Sequence, residues 1–388
     1  MNFLDKQNAI EIMNTLGANR TPFLFITSFD TAKNIVIPLS EINPLEIAFD
    51  FNQSHSNLAA FKTAYQFNAE ESMMIPLAWQ RFPIGFKDYK VAFNQLMAHL
   101  KSGNIQLANL TFPTRIACNL TLPEIFARTQ AKYRLFLQDH FCAFSPETFV
   151  TIKAGIIATY PMKGTINAGI ENAEKVLLDN PKEIDEHETV AKEALRDISL
   201  VADDAHISRF RYVDRVERGD GAILQTSSVI EGSLPENFHE SLGNLLYTLL
   251  PAGSITGSPR ETAIDILSDI ETYDRGFYSG VAGIFDGENL DSAVLIRYLE
   301  KSHSSEESLE VSSEESHSNS HSNAEADIIA DTNTDTTSIP FTPMAFTALS
   351  DEDILFRYTF KSGGGITAMS NAESEYDELI EKIYLPIC

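Results

Sequence analysis

Basic side chains are scarce in this chain. Its 29 lysines and arginines stand against 55 aspartates and glutamates, a formal charge of −26. A surface of that sign repels phosphate backbones and anionic headgroups, which excludes nucleic acid and membrane as partners. Between positions 302 and 356 there is no lysine or arginine at all. Part of the acidity therefore belongs to one tract, and the remainder of the chain is less acidic than the total suggests. Cysteine is sparse too: Cys118, Cys142 and Cys388 are far apart, odd in number and in no metal or redox spacing. That pattern fits a reducing cytoplasm. Long apolar runs are missing. The opening MNFLDKQNAIEIMNTLG is interrupted by charges and amides every few residues, and no later run is long enough to cross a bilayer. The expectation is a soluble cytoplasmic protein. Nucleotide P-loop, dinucleotide fingerprint, nucleophile elbow and zinc spacing are also absent from the sequence.

What is present is a long chain, 388 residues with 43% hydrophobic content, enough for one large domain or two ordinary ones. Residues 1–17 read as a helix ended by Gly17, followed by two strands, TPFLFITSFD and KNIVIPLSEI, about a polar turn. Residues 89–102 have helical spacing and stop at Gly103. NIQLANLTFPTRIACNLTL reads as strand, LPEIFARTQAKYRLFLQDH contains a helix, and FCAFSPETFVTIKAGIIATYP returns to strands, with a hairpin about AG. Asn180-Pro181 supplies a cap and a first-turn proline for the next helix. RFRYVDRVERGDGAILQTSSVIEGSL is strand; FHESLGNLLYTLLP and SPRETAIDILSDIE are helices. YSGVAGIFDGENLDSAVLIRYLE reads as two strands about an Asp-Gly turn. The Ser-, Glu-, Asp- and His-rich tract at 302–350 cannot bury a core and reads as a disordered insertion in a hairpin loop, since strand character resumes at DILFRYTFKSGGG. Strands and helices interleave without regular β-α-β spacing. The fold class expected is α+β, with large, mainly antiparallel sheets.

Several groups could carry chemistry. Glu183, Glu186 and His187, at i, i+3 and i+4 of the capped helix, share one face; Glu375, Glu378 and Lys382 do the same on the C-terminal helix. Two carboxylate pairs from distant helices suit a hard cation such as Mg²⁺, which takes one or two protein carboxylates and keeps positions for waters and ligand oxygens. On an acidic protein each pair is equally a solvated face. Gly363, Gly364 and Gly365, between a strand and the last helix, permit close backbone approach to a carboxylate, or form a plain turn. Arg297 lies on an otherwise apolar strand, where it wants a planar anion, either a ligand carboxylate or an internal ion pair. Lys163, in YPMKGT, sits where a strand gives way to a turn; by spacing alone it is a solvated strand end.

Taken in order, SPET, PMKGT, KEIDEH, LLPAGSITGSPR, DRGFYSGVAG, LIRY and GGGITAMSNAESEYDELIEK resemble the motifs of the chorismate-using enzymes. That family includes anthranilate, isochorismate, salicylate and aminodeoxychorismate synthases. The resemblance runs from about residue 103 to the C-terminus. PFLFITSF resembles the short N-terminal part of some aminodeoxychorismate synthases, so residues 1–100 read as a shortened N-terminal part of one catalytic domain spanning 1–388. The family fold is a sandwich of two antiparallel sheets with helices outside.

The resemblance implies roles residue by residue. Glu186 and Glu378 match acids that hold Mg²⁺, with Glu183 and Glu375 beside them, and the metal binds the ring carboxylate of chorismate. Arg297 and Tyr278 match groups that grip the enolpyruvyl carboxylate. Gly363, Gly364, Gly365 and Lys382 match the carboxylate-binding loop and helix, and Thr165 and Ser254 fall in motifs that bind substrate. Glu147 matches the general acid/base near the C4 hydroxyl. Anthranilate synthases usually carry alanine where this chain has Lys163, whereas aminodeoxychorismate synthases carry lysine and use it as a nucleophile at C2. The isochorismate branch instead uses a lysine base at the position of Leu107. The implied activity is amination of chorismate at C4 to 4-amino-4-deoxychorismate, in 4-aminobenzoate and folate synthesis. Ammonia comes from a glutaminase subunit, since no Gly-x-Cys-x-Gly loop is present here. The alternatives are anthranilate synthase component I and a non-catalytic binding protein of the same family. Departures from the family pattern are Gln225 for a common histidine, Leu195-Arg196-Asp197 for Arg-Asn-Asp, and Ser258-Pro259-Arg260 for Ala-Pro-Lys.

Overall fold

The computed structural model describes residues 2–67, 75–218, 221–302 and 356–387. Helix α1 (Lys6–Ala18) is capped by Asp5, whose carboxylate accepts from Asn8 N–H. The helix does not stop at Gly17. That glycine is buried in its last turn, where a Cβ would lie 2.3 Å from the His239 carbonyl, so it permits close packing and does not end the helix. β1 (Phe23–Thr27) and β2 (Asn34–Pro38) form the expected hairpin. β3 (Ile47–Phe51), β4 (His55–Ser56), α2 (Leu58–Ala64), β5 (Trp79–Phe82), α3 (Phe86–Lys101) and β6 (Leu107–Cys118) follow. A capping box between Thr121 and Glu124 starts α4 (Leu122–Arg128). β7 (Tyr133–Leu137) then begins inside the stretch that reads as helix-containing. All five of its side chains are buried, so it lacks the alternation that marks a strand in sequence.

β8 (Phe141–Ser145) leads to the hairpin of β9 (Thr148–Lys153) and β10 (Ile156–Thr159), which turns at Ala154 and Gly155, both left-handed, as the AG pair suggests. Next come β11 (Met162–Asn167), α5 (Ala173–Asp179), α6 (Pro181–Ser199), and the long hairpin β12 (Asp203–Arg218) and β13 (Gly221–Ser233). The chain continues through α7 (Leu242–Thr248), β14 (Gly257–Ser258), α8 (Arg260–Ile270), β15 (Val281–Phe285), β16 (Leu290–Val294), β17 (Tyr298–Lys301), β18 (Phe356–Thr367) and α9 (Ala372–Glu381). The Asp-Gly hairpin is β15 and β16, and the stretch read as two strands holds three, because β17 leaves that sheet and joins the other. β17 pairs directly with β18, so the acidic tract is inserted in a hairpin connection; its expected disorder falls at 303–355, outside the described residues.

Among the described residues the strands form two nine-stranded sheets. One runs β11-β13-β10-β9-β16-β15-β1-β2 with β12 beside β13. The other runs β14-β6-β18-β17-β8-β7-β3-β4 with β5 beside β6. Alternation along β1 shows how they pack. Phe23 and Phe25 face a core shared with α1, α6 and α7, whereas Leu24 and Ile26 face Phe49, Phe51, Tyr133 and Leu135 of the other sheet. α2 and α4 cover the outer face of the second sheet through Phe61, Phe126 and Phe136, and α3, α8 and α9 close its β6–β18 end. This is the α+β two-sheet antiparallel sandwich expected from the sequence.

Candidate active site

Where β11 of the first sheet approaches β18 of the second, α6 and α9 enclose a cavity of about 520 Å³. Its lining includes Glu147, Lys163, Thr165, Glu183, Ser254, Tyr278, Arg297, Gly363, Gly365, Glu375, Glu378 and Lys382. The structure thus brings together residues far apart in sequence. Gly364 lies between the two lining glycines, and a Cβ on it would be 3.6 Å from Lys382 Nζ and 3.8 Å from Glu375 Oε2. The Glu186 side chain is outside the described atoms, although its backbone lies in α6.

Lys163 owes its direction to a β-bulge. β11 pairs with β13 through Lys163↔Thr226 and Thr165↔Gln225, with a register shift between them at Gly164, whose φ is +75°. A bulge of this kind re-aims the neighbouring side chain. The Lys163 ammonium reaches the other sheet, 3.2 Å from where a Cβ on Gly365 would sit, and has no hydrogen-bond or ion-pair partner among the described residues. Leu107 touches the same point at 3.2 Å. The cavity therefore carries a lysine on β11 and an apolar side chain on β6. Gly164 itself lies under Glu183, whose Oε2 would be 2.6 Å from a Cβ there.

The glycine triplet is not the loop expected from the sequence; it is the last part of β18, paired with β6 through Gly363↔Thr111, Gly364↔Leu110 and Gly365↔Asn109. Thr111 N–H donates to Glu271, Asn109 N–H to the Thr256 carbonyl, and the Asn109 carbonyl accepts from Arg275. Gly363 and Gly365 thus face non-hydrogen-bonded partners, and their own N–H and C=O groups point to the opposite edge. β17 covers that edge only as far as Tyr298↔Lys361. Beyond it the edge opens on the cavity, where the Gly363 carbonyl accepts from Lys382 Nζ at 2.9 Å. Glycine is needed for close packing as well: a Cβ on Gly363 would be 2.6 Å from the Leu110 carbonyl.

Arg297 also departs from expectation. It is not within a strand but at the break where the chain passes from β16 to β17, with φ +52°. An arginine held in the left-handed region is strained, and such outliers gather at ligand sites. Its Nε is buried without a hydrogen-bond partner, its guanidinium lies 5.3 Å from the Tyr384 ring centre, and it makes no ion pair among the described residues. The internal ion pair, the simpler of the two readings, is thus not found there. Lys382 is likewise just past α9 rather than inside it, and pairs with Glu378 at 2.7 Å.

The cavity lining carries charges of both signs. Burial pushes the Glu147 carboxyl above its usual range, against the pull of the Ser254 hydroxyl, which donates to it, and of Arg297, Lys163 and Lys382. Burial also raises Glu378, but Lys382, Lys163 and Arg297 outweigh it and hold that carboxylate below its usual range. Burial pushes Tyr278 up to about 12, so its hydroxyl is protonated. Lys163, Arg297 and Lys382 on one cavity in so acidic a chain mark it for a carboxylate ligand.

Glu183, Glu375 and Glu378 offer only oxygen donors, as a hard cation requires. No cage of three ligating side chains is preformed among the described residues. His187 does not share the cavity face. It is 1% exposed and turned into the protein, 2.6 Å from Ser228 Oγ. Sequence reasoning missed Asn109 and Glu193 on the lining; Asn109 belongs to no spacing pattern, whereas Glu193, seven residues after Glu186 on α6, continues a helical face that could have found it. Asp197 forms an ion pair there with Arg260, which stands where the family pattern has lysine. Gln225 also lines the cavity, its amide N–H donating to Met162 Sδ at 2.7 Å.

The chorismate binding enzyme family, a class of chorismate-utilising enzymes, matches residues 46–312. The chain belongs to that family. It is 39% identical, over 98% of its length and 97% of the relative's, to an "uncharacterized PabA-like protein" of Haemophilus influenzae. It is 32% identical over 39% of its length, and 31% of the relative's, to anthranilate synthase component 1 of Acetivibrio thermocellus. With aminodeoxychorismate synthase component 1 of Klebsiella aerogenes it shares 28% over 57% of its length and 51% of the relative's. The menaquinone-specific isochorismate synthase from Escherichia coli shares the fold, with a TM-score of 0.65 at 14% identity, covering 98% of this chain and 82% of that one. No helix among the described residues is long and apolar enough to cross a membrane.

Proposed function

We propose that this protein is an aminodeoxychorismate synthase component, which replaces the C4 hydroxyl of chorismate by an amino group. The observation that carries the reading is the unpartnered Lys163 ammonium, aimed across the cavity at the open glycine edge with Glu147 on the same lining. Substrate carboxylates fit that edge, with the Gly363 and Gly365 N–H groups, Arg297 and Lys382 around them. The Lys163 amine adds at C2, both ring double bonds shift, from C1=C2 to C1=C6 and from C5=C6 to C4=C5, and the C4 hydroxyl leaves as water with a proton from Glu147. Ammonia then adds at C4 and the reverse shift expels the lysine amine. The balance is chorismate plus ammonia to 4-amino-4-deoxychorismate plus water. Glu186 and Glu378 would hold Mg²⁺, with Glu183 and Glu375 beside them orienting its waters or sharing it, and the metal would supply charge neutralisation for the ring carboxylate. Relatives named PabA-like support ammonia delivery by a glutaminase partner, within 4-aminobenzoate and folate synthesis.

Anthranilate synthase is the competing reading, favoured by the 32% identity to such an enzyme. Incubation with chorismate, ammonium and Mg²⁺ followed by the downstream lyase separates the two. We expect 4-aminobenzoate only after lyase addition, and no turnover in excess EDTA. Anthranilate fluorescence without lyase would reject amination at C4, and absence of both products would favour a non-catalytic protein.

Gly164→Ala tests the bulge. A side chain at φ +75° costs about 1–2 kcal/mol, and its Cβ would displace Glu183 or the bulge itself. The expected outcome is a small loss of thermal stability and a tenfold or larger fall in turnover, about the scale of other losses of ligand orientation, with part of the turnover recovered at high Mg²⁺. A titration of activity against Mg²⁺ checks it.

A further inference from the structure

We propose that His187 is a positioning residue which, through Ser228, locks helix α6 in register with the strand that carries Lys163. The proposal rests on the functional reading above only in naming α6 as the carrier of metal-directed acids; the clamp itself is a matter of geometry. His187 Nε2 stands 2.6 Å from Ser228 Oγ, which also accepts from the Arg211 backbone N–H at 3.0 Å. The Ser228 backbone N–H donates to the Pro161 carbonyl at 3.0 Å, two residues before Lys163. On the same strand the Thr226 hydroxyl donates to the Lys163 carbonyl. β13 thus grips the start of β11 at both Pro161 and Lys163, and Ser228 ties that grip to α6. Arg211 extends the tie, since its guanidinium donates to the Leu177 and Leu178 carbonyls at the end of α5.

A core histidine satisfied by one hydroxyl is the simpler account, and two observations go beyond it. Among the described residues this is the only side-chain hydrogen bond from α6 to the sheet on which it packs. A leucine or phenylalanine would fill the same space without the cost of burying an imidazole, whose Nδ1 has no partner among the described residues. The bond also sits next to Glu186 and one turn from Glu183, whose carboxylate overlies Gly164. A rotation or slide of α6 would therefore carry the acids away from the lysine.

The test uses Mn²⁺ as the probe, followed by electron paramagnetic resonance on the full chain, together with amide hydrogen exchange of the metal-free protein. His187→Ala is expected to weaken Mn²⁺ binding by about 10–100-fold, the usual effect of removing a group that orients metal ligands. His187→Gln, whose amide keeps a hydrogen bond to Ser228, should recover most of the loss. Ser228→Ala should match His187→Ala, and the double variant should add nothing further. In hydrogen exchange, His187→Ala should speed amides 162–165 by about tenfold or more and leave β6 unchanged. Unchanged exchange at 162–165, or additive effects of the two alanine variants, overturns the clamp. Wild-type protein that binds no Mn²⁺ overturns the metal reading instead, and the exchange result then decides the clamp alone. Should His187→Ala fail to fold, Ser228→Ala removes the same bond by deleting one atom, and the same exchange and Mn²⁺ outcomes support or overturn the clamp.

Discussion

Lys163→Ala is expected to lose C4 amination by about 10³-fold or more, the scale on which covalent nucleophiles act, while chorismate still binds. Binding survives because the groups suited to carboxylates lie elsewhere, at Arg297, at Lys382 and along the open edge of Gly363 and Gly365. Lys163 shares its positive charge with those two cations, so its removal weakens affinity modestly and turnover severely. That asymmetry marks a group whose main work is in the transition state. Two measurements check it: product formation with ammonium, and intact-protein mass after chorismate is added without ammonia. Wild-type protein should show a chorismate-minus-water adduct on Lys163; the variant should show none. Undiminished amination by Lys163→Ala, with no shift toward anthranilate, would overturn the covalent route.

The sandwich can be read from sequence because its strands carry strong local signals. The AG turn, the Asp-Gly turn and the β-branched runs each announce themselves, and Asn180-Pro181 marks the start of α6. β7 hides in a helix-containing segment because a strand buried on both faces has no period to detect. The site is legible as a set of residues and not as a geometry. Gly363 to Gly365 read as a loop, since three glycines weaken a strand; they stay extended because β6 pairs with them and leaves no room for a Cβ at Gly363. Arg297 reads as part of a strand because Leu295 and Ile296 are apolar, yet the chain must change sheets there. A change of sheet is a tertiary event with no local sequence signature. His187 shows the limit of helical spacing: a face defined by i, i+3 and i+4 spans both the cavity and the core. The bulge at Gly164 is likewise visible in sequence only as a glycine after a lysine. Its meaning comes from Glu183 above it.

Glu147→Gln should separate activity from stability. The glutamine keeps the shape and still accepts from Ser254, but it has no proton for the departing hydroxyl. Turnover is expected to fall by about 10²–10⁴-fold, the usual contribution of a positioned acid. Stability should move the other way. Because burial raises the carboxyl, the folded chain binds more protons at Glu147 than the unfolded chain between the ordinary and the raised value. Stability contributed by the neutral form is then fully present below the ordinary value and is lost as pH rises through that window. The amide has no such loss. Thermal unfolding of the variant should match wild type at the acid end and exceed it above the raised value, whereas its turnover falls furthest below wild type at the acid end, where wild-type Glu147 is protonated. Wild-type kcat/KM should decline as pH rises through the raised value, and the residual activity of the variant should lack that limb. A variant that is less stable at neutral pH and still turns over normally would show that Glu147 is a structural acceptor for Ser254. The pairing of higher stability with lost turnover has one physical source. A carboxyl kept protonated for catalysis must be held where ionisation is unfavourable, and the fold bears that cost as pH rises above the carboxyl's ordinary value.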